Sequence, residues 1–276
     1  MSVVTFWGSG KEQVGKTMAV VALATNMAIE HNKKILVISA SYNNDTLKNC
    51  YWSTGIAKKT NMFIKNPGVE LGNGIEGLAK MVQSNKITPE TITDYTKIVF
   101  KDRLEVLLGF EERTSASGEN IAKIYSEIVQ VASRYYDFIF VDLDNEIDTI
   151  ETEEILQKSN LIIAMASQKL SSISTMKEKM KKFPENKTML LIGKFDKQSK
   201  YNLKNLSRTF GEKKEFLAIP YSTLYFESAQ EGNVADLFLK LRRIEDKMDE
   251  NWFFIEQVKT VSSEIMKKLH DQKIIK

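Results

Sequence analysis

Gly10-Lys11-Glu12-Gln13-Val14-Gly15-Lys16-Thr17 satisfies the pattern G-x-x-x-x-G-K-[ST] in full, and its residue types suit the holding of a polyphosphate. Glycines at 10 and 15 let the main chain bend so that successive N–H groups converge on phosphate oxygens. A helix starting near Lys16 aims the positive end of its dipole at the same anion. Lys16 adds a point charge for the β- and γ-phosphates, and the Thr17 hydroxyl is a ligand for Mg²⁺. Met18 completes this nucleotide-binding stretch. Farther along, Tyr136-Asp137-Phe138-Ile139-Phe140-Val141-Asp142 is an apolar run closed by a carboxylate. An acid there lies on the carboxyl edge of a sheet, where such folds bind ligands, so Asp142 is a candidate partner for Mg²⁺, directly or through water. Strands also end in Asp for turn reasons alone; the phosphate loop favours the metal reading.

Both features need a scaffold of strands and helices in alternation. Short apolar runs at 3–7, 34–39, 104–109, 137–142, 160–166 and 187–193 predict strands, with 215–219 as a short edge strand. Most are continuous rather than alternating in character, as expected of strands covered on both faces. Amphipathic segments fill the gaps. Residues 16–30 place Val20, Leu23, Ala24 and Met27 on one stripe, and 120–134 repeat the pattern with Ile121, Ile124, Ile128 and Val131. Thr88-Pro89 marks another helix start. Residues 51–74, with Pro67, Gly68, Gly72 and Gly74, read as a loop-rich insertion, and 111–118 and 195–200 as polar loops. The tail predicts helices at 234–248 and 252–269, the second packed on the body of the protein by Phe254, Ile255, Val258, Val261, Ile265 and Leu269. A partner-binding or membrane-surface helix is the alternative, and Asp246, Asp249, Glu250 and Glu256 argue against anionic lipid.

The fold class is therefore α/β, a mostly parallel central sheet flanked by helices on both faces. No Pro/Gly/Ser linker divides the 276 residues, so one domain over 1–276 is expected, with a helical extension at about 234–270. A hydrophobic fraction of 42% supports a full core, and a net charge of +3 is too small to argue for nucleic acid. One cysteine excludes a disulfide framework and, with two histidines, a zinc cluster. No signal segment or bilayer-length apolar stretch is present, so a cytoplasmic location is expected.

At this point the chain resembles the ParA/MinD superfamily of P-loop ATPases along nearly its whole length. That family writes its loop K-G-G-x-G-K-[ST], and Lys11 occupies the position of its signature lysine, which reaches across a face-to-face dimer to the other subunit's nucleotide. Lys34-Ile35-Leu36-Val37-Ile38 resembles the second strand, 137–142 the Walker B strand, and Ser159-Asn160-Leu161-Ile162-Ile163 the strand after it. Leu191-Ile192-Gly193-Lys194-Phe195-Asp196 and Ala218-Ile219-Pro220-Tyr221 resemble the adenine-side segments. Within the superfamily, Ile219-Pro220-Tyr221 and Ser228-Ala229-Gln230-Glu231-Gly232 are most similar to the CpaE/TadZ branch of pilus-assembly ATPases. The resemblance implies ATP or ADP with Mg²⁺, a nucleotide-dependent homodimer, and a protein partner in a pilus or secretion machine. It implies nucleotide contacts from residues 10–18, Lys194, Pro220 and Tyr221, metal contacts from Thr17 and Asp142, and catalytic roles for Lys11 and Lys16.

Three departures modify that expectation. Glu12 and Gln13 replace the two family glycines, adding bulk and negative charge where a phosphate and a second subunit approach. Glu12 is expected to point away or to pair with a lysine, Lys11 being adjacent, and the dimer contact to be weakened. Ser39-Ala40-Ser41 stands where the family has D-x-D, and serine is a poor base at neutral pH. Asp45 or Asp144 could substitute in part, or both are ordinary loop carboxylates; slow hydrolysis is the expectation. The family asparagine that reads adenine falls at Gly193, leaving base selection to backbone near Pro220 and Tyr221. Two other readings stay open. One is DNA partitioning through Lys177, Lys179, Lys181, Lys182, Lys240, Arg242 and Arg243, which is not favoured because such runs are more often solvated faces. The other is a degenerate scaffold, against which Gly15-Lys16-Thr17 and Asp142 speak.

Overall fold

A computed structural model describes residues 1–276 except 9–11, 42–44, 54–73, 111–120, 144–149, 212–213 and 275–276. Eight strands form one sheet: β1 (Ser2–Gly8), β2 (Ile35–Ala40), β3 (Lys97–Phe100), β4 (Leu104–Leu107), β5 (Phe138–Leu143), β6 (Leu161–Ala166), β7 (Thr188–Phe195) and β8 (Phe216–Pro220). Their spatial order is β3-β4-β2-β5-β1-β6-β7-β8. Every neighbouring pair is parallel except β3 with β4. The inner strands are buried at every position, which is why their sequences are mostly apolar on both faces.

Alternate residues of each strand face two separate cores. Val4, Phe6, Val37, Phe140 and Ile163 look toward one. It is closed by α1 (Lys16–Glu30), α2 (Asp45–Tyr51), α9 (Thr223–Glu231), α10 (Val234–Leu241) and α11 (Trp252–Ile274). Val3, Trp7, Leu36, Val141 and Ile162 look toward the other. That side is closed by α3 (Gly74–Gln83), α4 (Pro89–Tyr95), α5 (Ile121–Ala132), α6 (Ile150–Lys158), α7 (Leu170–Lys179) and α8 (Leu203–Phe210). Helices on both faces of a mostly parallel sheet are the architecture that the alternating pattern implies.

Several boundaries differ from expectation for identifiable reasons. The expected stripe on α1 is in fact nearly the whole helix, with Ala19–Ala28 all buried, because α10 and α11 cover its outer side. The helix expected at 234–248 stops at Leu241. Beyond it, Asp246 accepts from Met248 N at 2.9 Å and Asp249 from Asn251 N at 2.8 Å. These side-chain turns satisfy the backbone in place of helical bonds. The last helix runs on to Ile274. β4 ends at Leu107, short of 109, and β7 extends two residues past 193, through a break in register between Ile192 and Phe195. The edge strand β3 was not anticipated. It is only four residues long, and its partner β4 carries Glu105, a buried acid that accepts from Thr96 Oγ1 at 2.7 Å and Tyr136 Oη at 2.5 Å. Thr88 caps α4 through Thr91 N, with Pro89 in the first turn. Of the insertion at 51–74, Tyr51 ends α2 and Gly74 opens α3, while 54–73 and the loop 111–118 lie outside the described residues.

Ile265 is wholly buried in the core that α11 shares with α1. Ile265→Ala should therefore cost about 2–5 kcal/mol of unfolding free energy. Urea denaturation checks this, and a loss within experimental error would mean that α11 is only loosely attached.

Candidate functional site

The phosphate loop leaves the carboxyl end of β1, the strand at the sheet's centre, flanked by β5 and β6. Gly10 and Lys11 lie outside the described residues, and the loop is described from Glu12 onward. Gly15 has φ 77° and serves as the left-handed cap of α1, a conformation strained for any residue with a Cβ. The turn delivers Lys16 and Thr17 to the carboxyl end of β5, where Asp142 stands in register with Phe6 of β1 and Ser39 of β2. Thr17 Oγ1 donates to Asp142 Oδ2 at 2.7 Å, and Lys16 Nζ lies 3.3 Å from Asp142 Oδ1. Lys16 and Asp142 are 8% and 1% exposed. Two ions this deep hold only as a pair, since removing either strands the other. A hydroxyl and a carboxylate side by side are the hard oxygen donors that suit Mg²⁺, so the residues present fit that ion.

Two neighbouring turns fix the loop from outside. On β7, a Cβ built on Gly193 would stand 1.9 Å from the Val14 carbonyl oxygen. No larger residue fits, so close backbone packing alone demands glycine at 193. Lys194 follows at φ 52°, and its Cγ is 3.0 Å from where a Gly15 Cβ would be. Its aliphatic stem thus lies against the loop. Beyond β6, Ser167 Oγ donates to Glu12 Oε2 at 3.1 Å, and Lys169 Nζ lies 3.5 Å from Glu12 Oε1. Glu12 therefore pairs with a lysine far away in sequence. Gln13 is exposed, Val14 buried.

The remaining candidates are distributed along the same edge. Pro220 ends β8 opposite Phe195, whose carbonyl accepts from Tyr221 N at 3.0 Å. The Tyr221 ring is exposed, 6.5 Å from Phe226. Met18 turns inward: its carbonyl accepts from Tyr225 Oη at 2.6 Å, and its sulfur faces Cys50 Sγ at 3.9 Å. Ser39 and Ser41 share a hydrogen bond of 3.0 Å, and the Ser39 carbonyl accepts from Tyr125 Oη. Asp45 is exposed as the first residue of α2, and Asp144 lies outside the described residues. Burial, reinforced by the charge of Asp142, pushes the Cys50 thiol up from 9.0 to about 12; burial also raises the Tyr51 and Tyr225 phenols. Sequence reasoning missed Ser167, Lys169 and Tyr225. The position of 167–169 just after an apolar run was a usable signal for the first two; Tyr225 had none.

The cations considered for DNA are partly engaged within the chain. Lys177 lies over the Phe210 ring, Lys182 is 3.5 Å from Glu153, and Arg242 Nε is 3.7 Å from Glu30. Among the described residues, no helix is long and apolar enough to cross a membrane.

Neither a family model nor a curated protein sequence matches the chain. Solved structures do. A ParA family ATPase from Chlorobium tepidum TLS superposes with TM-score 0.69 at 16% identity, over 93% of this chain and 98% of that one. A chain of the MinC:MinD cell division protein complex of Aquifex aeolicus gives 0.62 at 14%, over 95% and 96%. The septum site-determining protein MinD of Pyrococcus horikoshii OT3, complexed with Mg-ADP, gives 0.62 at 13%, over 97% and 98%. At these identities the likeness establishes the fold, that of the ParA/MinD P-loop ATPases.

Two outcomes follow from the packing around the loop. Gly193→Ala should lower the thermal midpoint and displace the loop, with a cost of about 1–3 kcal/mol for the overpacked contact; an unchanged midpoint by calorimetry would contradict it. The buried thiol gives a pH dependence. Cys50 stays neutral in the fold up to about 12, whereas the unfolded chain loses that proton above 9.0. The unfolded state then binds fewer protons, so stability present below pH 9 should fall as pH rises through that window. Urea midpoints across the range should show a shallower fall in Cys50→Ala, the tyrosines retaining the rest.

Proposed function

We propose that this chain binds ATP or ADP with Mg²⁺ on residues 10–18 and works as a nucleotide-switched positioning or assembly factor in the cytoplasm, with slow hydrolysis. The observation that carries the reading is the three-way contact of Asp142 with Lys16 and Thr17. It places a cation, a hydroxyl and a carboxylate at the mouth of a loop held in a left-handed turn.

Each group has a separate task. The main-chain N–H groups and the start of α1 attract the phosphates. Lys16 would turn from Asp142 toward the β- and γ-oxygens, and Thr17 with Asp142 would hold Mg²⁺. Bound Mg²⁺ would supply neutralisation of the phosphate charge. Lys194, Pro220 and Tyr221 border the base, the backbone there selecting adenine. Lys11 is the candidate contact to a second subunit's nucleotide.

Slow hydrolysis rests on Ser39 and Ser41. They are bonded to each other and offer no base of suitable pKa for an attacking water. Asp45 is the nearest substitute in sequence, and it starts an exposed helical turn. A switch does not need fast turnover. Nucleotide that binds one assembly state better shifts the population toward it. A partner in a pilus or secretion machine follows from the likeness of 219–221 and 228–232 to the CpaE/TadZ branch. The engagement of Lys177, Lys182 and Arg242 within the chain weighs against DNA.

Titration calorimetry with ATP and Mg²⁺ should show saturable binding that Lys16→Ala weakens at least about tenfold, the loss expected for a charge-assisted phosphate contact. Turnover should fall well below the ~10 s⁻¹ median of enzymes. Heat traces indistinguishable from buffer for the wild-type protein would refute the site. A typical turnover rate abolished by Lys16→Ala would refute the slow chemistry.

A further inference from the structure

We propose that Lys169, on the turn between β6 and α7, is an additional contact for the nucleotide's terminal phosphate, and that Glu12 holds its ammonium until a nucleotide arrives. The inference rests on the reading of residues 10–18 as a nucleotide site, and assigns that site a residue lying outside its motif. Lys169 reaches the phosphate loop itself, its Nζ 3.5 Å from Glu12 Oε1. Ser167, two residues earlier, donates to the other Glu12 oxygen at 3.1 Å and fixes the carboxylate's place. Lys169 N in turn donates to Ser167 Oγ at 3.4 Å. The turn thus presents a hydroxyl and an ammonium to one loop side chain.

The two cations of the site differ in how firmly they are held. Lys16 is buried with Asp142, whereas Lys169 and Glu12 are 71% and 39% exposed. An exposed pair is weak and easily exchanged. A lysine ammonium on its four-carbon stem can move several ångströms without any change of backbone. A polyphosphate carries several charges where Glu12 carries one, so it competes successfully for the same ammonium. Glu12 without Lys169 would repel the incoming phosphates; with Lys169 its charge is balanced in the free protein. The pair therefore sets the affinity of the loop, Lys169 raising it and Glu12 lowering it.

The test measures a fluorescent ATP analogue against wild type, Lys16→Ala, Glu12→Gln, Lys169→Met and the double variant Glu12→Gln/Lys169→Met, at low and high salt. Lys169→Met should weaken ATP about two- to fivefold at low salt, the range of an exposed charge contact. ADP, which lacks the terminal phosphate, should be affected less. Glu12→Gln should tighten ATP by a similar factor, and that gain should shrink in the Lys169→Met background to the part that comes from repulsion of the phosphates alone. Unchanged affinity in Lys169→Met, or an equal Glu12→Gln effect in both backgrounds, overturns the inference while leaving the nucleotide site intact. Absence of binding in the wild type, indistinguishable from Lys16→Ala, overturns the underlying site as well.

Discussion

Asp142 carries a charge at 1% exposure and divides its two oxygens between a lysine and a threonine that are neighbours in sequence. A carboxylate this deep is tolerated only with partners of this kind. Its position is in turn dictated by the sheet, because β5 is clamped between β1 and β2 and cannot slide without breaking the register of both. The start of α1 is therefore located by a hydrogen bond and an ion pair to the middle of the sheet, as well as by its own packing. Everything else at the carboxyl edge is arranged around a helix end whose place is already fixed.

Residues 12–15, which lead into α1, have little freedom left. Val14 presses its carbonyl against Gly193, Lys194 lies along Gly15, and Glu12 is fastened to the turn after β6. These restraints come from two strands on the far side of β1, which join the nucleotide edge to the α7–α8 side of the molecule. Tyr225 adds a restraint from the opposite face by donating to Met18 O in the first turn of α1. In the proposed role, residues held in this way would lose little conformational freedom on taking a phosphate, which favours affinity.

The sheet was legible because strands buried on both faces are mostly apolar along their length, and 3–7, 138–141 and 161–166 have that character. The edge strand β3 was not, because four residues, none of them fully buried, give too short a signal. Lys16, Thr17 and Asp142 were readable from residue type and place along the chain, since a strand end and a helix start are local features. Ser167 and Lys169 meet Glu12 across more than 150 residues; the strand before them places them at the carboxyl edge, but the pairing with Glu12 itself has no local signal. Gly193 shows a subtler limit. Its departure from a family asparagine reads as a lost base contact, whereas the Val14 carbonyl leaves no room there for any side chain.

The same limit bears on the chemistry. A D-x-D pair at 39 and 41 would put a carboxylate in register beside Asp142, one inter-strand spacing away, about 4.8 Å. Two acids that close need strong positive charge between them to remain ionised. Serines there remove that requirement, so Asp142 can keep Lys16 and Thr17 in place without a neighbouring anion. In the proposed function the cost would fall on hydrolysis, since the hydroxyls of Ser39 and Ser41 bond to each other and serine is a poor base at neutral pH. Retaining the cradle while losing the base is what a protein needs if bound nucleotide is itself the signal. The Ser39–Ser41 pair beside Asp142 is thus the feature on which the proposed slow hydrolysis depends.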